Sequence, residues 1–188
     1  MKWIVVVLCI GFVMAKDNLA QQTDNVLVII KEKPESSLPV RTNNWMSVQG
    51  NDDWLGLSNE QIHERQLKFD SPEYGIRAGA ISLITRALRK NNKPELTMSQ
   101  IFFESDGWAE DKQSYKLDAM SKGFSDVDTI DVMDRDQLST LIHFISNHEM
   151  GLDNYLNLKD RVKVVNKGID MAYDYVLSDD YSLKEFIK

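Results

Sequence analysis

The feature that most restricts the fold of this 188-residue chain is a helix start at Asp70-Ser71-Pro72-Glu73, followed by apolar residues at helical spacing. Ser71 is placed to cap, Pro72 suits the first helical position because its missing N–H is not needed there, and Glu73 favours the positive helix end. Ile76, Ala80, Leu83, Ile84, Ala87 and Leu88 then fall on one face, and Asn91-Asn92-Lys93-Pro94 stops the run. The spacing predicts a helix over residues 72 to about 89. A helix with so continuous an apolar face must bury it against other elements, and the second half of the chain supplies them. Residues 135–148 place Leu138, Leu141, Ile142 and Ile145 at i, i+3, i+4 and i+7, with Gly151 as a C-terminal cap. Residues 158–177 carry Val162, Val165, Ile169, Ala172, Tyr173 and Val176 on one side.

Two shorter helices are expected between these. One starts at Thr97 or Ser99, runs through Ile101 and Phe102 and ends before Gly107; the other covers 110–122, carries Tyr115 and Met120 and closes at Gly123. Residues 41–69 lack helical periodicity. Their paired Asn43 and Asn44, Trp45 and Trp54, Gly50 and Gly56 and acidic turns predict a loop-rich stretch with a short hairpin ending at Leu67 and Phe69. Aspartates 126, 128, 131, 134 and 136 read as a solvated acidic loop. The expected fold class is mainly α, a single helical domain over residues 40–188 with five helices round one core.

Charge and the N-terminal segment narrow the setting. Twenty-two Lys and Arg against 29 Asp and Glu leave a net charge of −7, the wrong balance for gripping a phosphate backbone, so no nucleic-acid partner is expected. Lys2 precedes thirteen apolar or small residues, Trp3 to Ala15, with Val13 and Ala15 ahead of polar Lys16-Asp17. This is the form of a secretory signal peptide, and it falls short of the roughly 20 residues that cross a bilayer as a helix. Residues 1–15 are therefore read as a signal peptide or, with tilting, a membrane anchor. Export to the periplasm or the exterior, or membrane association, follows. Cys9, the single cysteine, lies inside that segment, which leaves a cleaved product no thiol and no disulfide. Residues 16–39 read as a polar linker with one apolar island at 26–30, and Pro34 and Pro39 mark its end.

Motif chemistry is sparse. His63, His143 and His148 have no HExxH spacing, the aspartates at 126–136 lack the glycine and glutamate of a calcium loop, and no phosphate-cradling loop or nucleophile elbow is present. No metal or cofactor is expected. Carboxylates remain. Glu149, at the end of the apolar helix in Asn147-His148-Glu149-Met150-Gly151, faces the negative helix terminus, a setting that favours the neutral acid. A general acid for glycoside cleavage needs that property. Glu104, after Phe102-Phe103 and before Ser105, is a second candidate, and Glu73 a third that its helix position alone explains. Trp45, Trp54, Trp108, Tyr74 and Tyr115 could line a cleft, since sugar rings stack on aromatic faces.

The order Arg41-Thr42-Asn43-Asn44, then Trp54-Leu55-Gly56, then Phe69-Asp70-Ser71-Pro72-Glu73-Tyr74-Gly75-Ile76-Arg77-Ala78 resembles a family of bacteriophage virion-associated proteins. That family shows R-N-N-N-P-G-N-I, a W-x-G and F-x-S-P-E-x-G-I-R-A. Downstream, Trp108-Ala109 before Tyr115, and Asp134 to Glu149-Met150-Gly151, are similar to its W-A-P-x-x-E-N-D-T-x-x-Y and its terminal D-x-x-x-L helix ending in E-x-G. The likeness spans about residues 40–151, with FDSPEYGIRA its specific part. The chain departs from the pattern at Trp45-Met46, where Pro-Gly stands in the family, and between Trp108 and Tyr115. The resemblance implies a lysozyme-like fold and a virion-associated protein that degrades peptidoglycan as a muramidase or lytic transglycosylase. Glu149 would be the acid, and Asn43, Asn44, Tyr74 and Arg77 would border the cleft. Peptidoglycan glycan strands are the implied partner, together with other virion proteins or a viral or host membrane. The alternative is a non-catalytic, membrane-associated virion structural protein of the same fold.

Overall fold

The computed structural model describes residues 36–50, 52–183 and 186–187, all within the unit that spans 35–188. The expected signal or anchor segment at 1–15 and the apolar island at 26–30 lie outside the described residues. Among those described, the fold is mainly helical with one small two-stranded sheet. The first element is a single helical turn, α1 (Leu38–Arg41), which already buries Pro39.

Helix α2 (Pro72–Asn91) is the centre of the core. All six residues of its expected apolar face are fully buried, and Gly75, Arg77, Ala78, Gly79 and Ile81 are buried as well, so the helix is covered on more than one side. Ser71 precedes it in extended conformation, but its side chain caps no backbone N–H; the hydroxyl bonds the Glu73 carboxylate instead. The helix runs two residues past the predicted end, because Asn92 takes the left-handed conformation at φ 53° and its N–H returns to the Leu88 carbonyl.

The partner of α2 is α6 (Arg161–Val176), which buries Val165, Ile169, Ala172 and Val176. Gly168 sets how closely the two approach. A Cβ at that position would lie 2.6 Å from side-chain carbons of Ile76 and 2.9 Å from the Glu73 carbonyl oxygen, so only a hydrogen atom fits between the helices. Val162, expected on the buried face, is 56% exposed. It belongs to the first turn, before the contact with α2 begins.

Helix α4 (Arg135–Met150) buries Leu138, Leu141, Ile142 and Ile145 as its period requires. Asp134 caps its start, accepting from the N–H groups of Asp136 at 3.0 Å and Gln137 at 3.1 Å, and Gly151 ends it at φ 76°. A short α5 (Leu152–Leu156) follows directly. Arg135 ties α4 to α6 through Asp170 at 2.6 Å.

Residues 126–136 are not all solvated loop. β2 (Thr129–Asp131) pairs antiparallel with β1 (Glu95–Thr97), with Leu96 opposite Ile130. Alternation within Thr129-Ile130-Asp131 sends Ile130 inward while its neighbours face water. After β1 the chain forms a π-helical turn, Ser99–Phe103, in place of the predicted α-helix, and then α3 (Lys112–Ser121), capped by Asp111. Asn91 at the end of α2 holds this region by donating to the Glu95 carbonyl at 2.5 Å and exchanging amide hydrogen bonds with Gln100. In the loop-rich stretch the expected hairpin reduces to two isolated antiparallel bridges, Gln49 with Gln66 and Leu57 with Phe69. No helix among the described residues is long and apolar enough to cross a membrane.

Substituting Gly168→Ala forces a methyl group into the α2–α6 contact and is expected to lower unfolding stability by about 1–3 kcal/mol. Urea unfolding followed by circular dichroism measures it; an unshifted midpoint would show that the crossing relaxes freely.

Candidate functional site

The groove that holds Glu149 is built by several pieces of chain. Helix α4 ends at Met150, so its last turn presents His148 and Glu149 at the surface. Helix α3 contributes Tyr115, buried with its ring stacked on Phe102 at 4.8 Å between centroids and met edge-on by Phe144 at 6.2 Å. The loop before α2 supplies Gln49, Arg65 and Gln66 across from them. Together with Trp108 and Glu110 these residues line a groove of about 400 Å³.

Glu149 is half-buried, and its Oε1 accepts a hydrogen bond from the Tyr115 hydroxyl. Oε2 has no partner among the described residues. Burial first, and then the Glu149 carboxylate, push the Tyr115 hydroxyl far above the ordinary tyrosine range, so it remains a proton donor throughout the neutral range. One carboxylate oxygen is therefore fixed in place while the other stays available. The His148 ring lies 3.7 Å from that of Tyr115 between centroids and 3.2 Å through Nδ1 from Asp118 Oδ2. This pairing orients the imidazole at the groove's edge.

The opposite side carries a second carboxylate of different character. Glu110 is exposed, accepts from Gln49 Nε2 at 3.1 Å and is ion-paired with Arg65, whose Nη2 also donates to Gln49 Oε1 at 3.2 Å. The Gln49 hydrogen bond, and then the charge of Arg65, hold the Glu110 carboxyl below its usual range. Glu110 is thus held as an anion in the same groove that Glu149 lines. The Trp108 indole N–H donates to the Met46 carbonyl at 3.1 Å, which locks the ring in position along the wall.

Three of the expected site residues, Glu149, Trp108 and Tyr115, are brought together here. The others are elsewhere. Asn44 is fully buried and its amide is spent on the loop: Nδ2 donates to the carbonyls of Val48 and Leu67, both at 2.9 Å, and Oδ1 accepts from the Val48 N–H at 2.8 Å. Asn43, at φ 53°, donates to the Phe69 carbonyl at 3.0 Å. Tyr74 packs its ring against Gly56. Glu73 is opposed by burial, yet the Ser71 hydroxyl, its own backbone N–H and Lys167 hold its carboxyl below the usual range. Glu104 is ion-paired with Lys90. Trp54 and Arg77 line a second, larger cavity that does not contain Glu149.

Glu110, Arg65, Gln49 and the His148–Asp118 pair are functional candidates that no motif in the sequence marks. Their signal lies in tertiary pairing: Gln49 and Arg65 stand on the two sides of the bridge between Gln49 and Gln66, and Glu110 meets both from 45 residues beyond Arg65. Among the described residues, no group of three or more His, Cys, Asp or Glu side chains is placed to hold a metal ion. Compared with known families and with curated proteins, the chain matches no family model and no curated protein.

The raised Tyr115 hydroxyl has a consequence for stability. A group whose folded pKa lies above its unfolded value contributes stability below the unfolded pKa, near 10 for tyrosine, and loses it as pH rises beyond. Urea unfolding at neutral and alkaline pH is expected to show a steep fall above about pH 10 in the wild type and a shallower one in Tyr115→Phe. Equal slopes in both proteins would mean that the hydroxyl is not perturbed by folding.

Proposed function

We propose that the Glu149 groove cleaves the glycan strand of peptidoglycan, within a lysozyme-like domain of a phage-encoded, virion-associated protein that acts on the host cell wall. The observation that carries this reading is the arrangement of Glu149 itself: one oxygen fixed by the Tyr115 hydroxyl, the other without a partner among the described residues, in a groove that also holds the ion-paired Glu110 and the Trp108 ring. In this reading the Glu149 carboxyl is the proton donor, passing a proton through Oε2 to the glycosidic oxygen as the bond to the anomeric carbon breaks. Glu110, kept anionic by Gln49 and Arg65, offers negative charge to the cation developing on the sugar ring. Water, or a hydroxyl of the substrate itself, then adds to the anomeric carbon and returns a proton to Glu149, giving hydrolysis or transglycosylation respectively. Trp108 supplies a flat apolar wall against which a sugar can lie.

A second reading, a non-catalytic and membrane-associated virion structural protein, draws support from a separate observation. Asn43, Asn44 and Tyr74, which carry the family resemblance, are engaged in holding the loop and the start of α2 rather than the groove. Shared motifs of that kind preserve a scaffold whether or not catalysis is retained.

Incubating the protein with purified peptidoglycan sacculi distinguishes the two. Soluble glycan fragments are expected from the wild type, with a loss on the order of 100-fold or more in Glu149→Gln, a smaller loss in Glu110→Gln and none in Glu104→Gln. Reducing ends on the products would mark hydrolysis and internal anhydro ends transglycosylation. A folded wild type that releases nothing at any pH from acid to mildly alkaline would remove the enzyme reading.

A further inference from the structure

The larger cavity, about 970 Å³, lies along α2 and is lined by Trp54, Arg77, Arg86, Arg89, Tyr175 and Tyr181, among others. Its electrostatics are unusual for a chain of net charge −7. Four cations face it, and two of them are neutralised within the protein: Arg86 pairs with Asp106 at 2.9 Å, and Lys90 with Glu104 and Asp106. Among the described residues, Arg77 and Arg89 have no such pairing. Arg77 is only 8% exposed, yet among the described residues no carboxylate or carbonyl accepts from its guanidinium. The Tyr175 ring packs against it, with its centroid 5.1 Å from the guanidinium carbon, and Tyr74 also lies near enough to act on its charge. A guanidinium cannot shed its charge, and a buried cation without a counter-ion is costly, so its retention there calls for a reason outside the stability of the fold. Burial does pull the Arg77 guanidinium below its ordinary value, the direction expected of an unpaired cation. Trp54 lines the same cavity, and its indole N–H, buried behind that lining, finds no acceptor among the described residues.

We propose that this cavity binds a ligand that presents a single carboxylate on an apolar body, with Arg77 as the carboxylate anchor and Arg89 as the outer cation. The chemistry of the lining selects that class. With one face of the Arg77 guanidinium toward Tyr175, the N–H edge is the part left to a ligand, and that edge matches a carboxylate in a two-point contact. Tyr175 and Tyr181, edge to face at 5.5 Å, together with Trp54, give apolar surface for the remainder of the ligand. Exposed Asp52 and Asp53 line the same cavity and repel a ligand of higher negative charge, which disfavours polyphosphates and nucleic acid. The volume accommodates more than a bare anion, either a free organic acid or the C-terminal end of a short peptide. The inference stands apart from the Glu149 groove, whose activity is read by glycan release.

Calorimetric titration of the full chain tests it with two acids, N-acetylated dialanine and 3-phenylpropionate, each against its own amide, and with inorganic phosphate. At least one acid is expected to bind at millimolar concentration or below, with its amide weaker by about tenfold or more. The acid that wins separates peptide end from free organic acid. Arg77→Met is expected to weaken that acid by at least about tenfold while melting, without ligand, at the wild-type temperature or higher. Arg89→Ala, an exposed position, is expected to weaken binding in the same direction by less. Equal binding of acids and amides, binding of neither acid, or phosphate binding tighter than both acids would overturn the proposal. So would an Arg77→Met chain that melts lower or fails to fold, because the guanidinium would then be a structural element.

Discussion

The structure depends on the close crossing of α2 and α6, where Gly168 lets Ile76 and the backbone at Glu73 approach within van der Waals contact. Because α2 is covered on several sides, its two ends are fixed points from which the rest is hung. At the N-terminal end, Gly75 lies so near the Asn43 carbonyl that a Cβ would stand 2.3 Å from it, which seats the loop directly on the helix. At the C-terminal end, Asn91 and Arg86 hold Gln100 and the π-helical turn. That turn places Phe102 in the core against Tyr115, and Tyr115 in turn fixes Glu149. The candidate acid is thus connected to the central helix by a short series of packed side chains and hydrogen bonds.

Much of this order is visible in the sequence, and the reason is periodicity. α2 and α4 carry apolar residues at strict helical spacing between clear start and stop signals, so position, length and buried face are all legible. Signals fail where an element is short or its neighbours are charged. Ile130 is the only buried residue of β2, and the aspartates around it read as loop; α5, of five residues, has no full turn of pattern on either side of Tyr155. The π-helical turn shares the composition of an α-helix and differs only in its hydrogen bonds, which a sequence does not display. Val162 shows the limit of spacing on its own, since a face can extend beyond the neighbour that covers it.

The candidate site was legible in its Glu149 carboxylate and its aromatics but not in its organisation. Glu149 stands out because an apolar helix ends on it, and Trp108 and Tyr115 because aromatics near a carboxylate suggest a cleft. Asn43 and Asn44 look like binding residues for the same reason they turn out to be scaffold: an amide with two donors and an acceptor serves a loop as readily as a ligand. Arg77 reads as one more residue of a motif, and only the fold reveals that it is buried beside an aromatic ring with no counter-ion among the described residues. The molecule consequently separates two kinds of electrostatics. One groove sets carboxylates against donors, and one cavity leaves two arginines without a counter-ion among the described residues.

The crossing of α2 and α6 also joins segments that are about ninety residues apart in the chain, and a closure of that length costs conformational entropy before any contact repays it. As the polypeptide is made, α2 emerges well before the helix that covers it. Its most apolar surface stays open to water, and to other chains, while the segment through α5 is still being added. Folding should therefore be late, cooperative and slower than in a bundle whose successive helices pack on one another, with the interval before α6 arrives as the period of greatest exposure to aggregation.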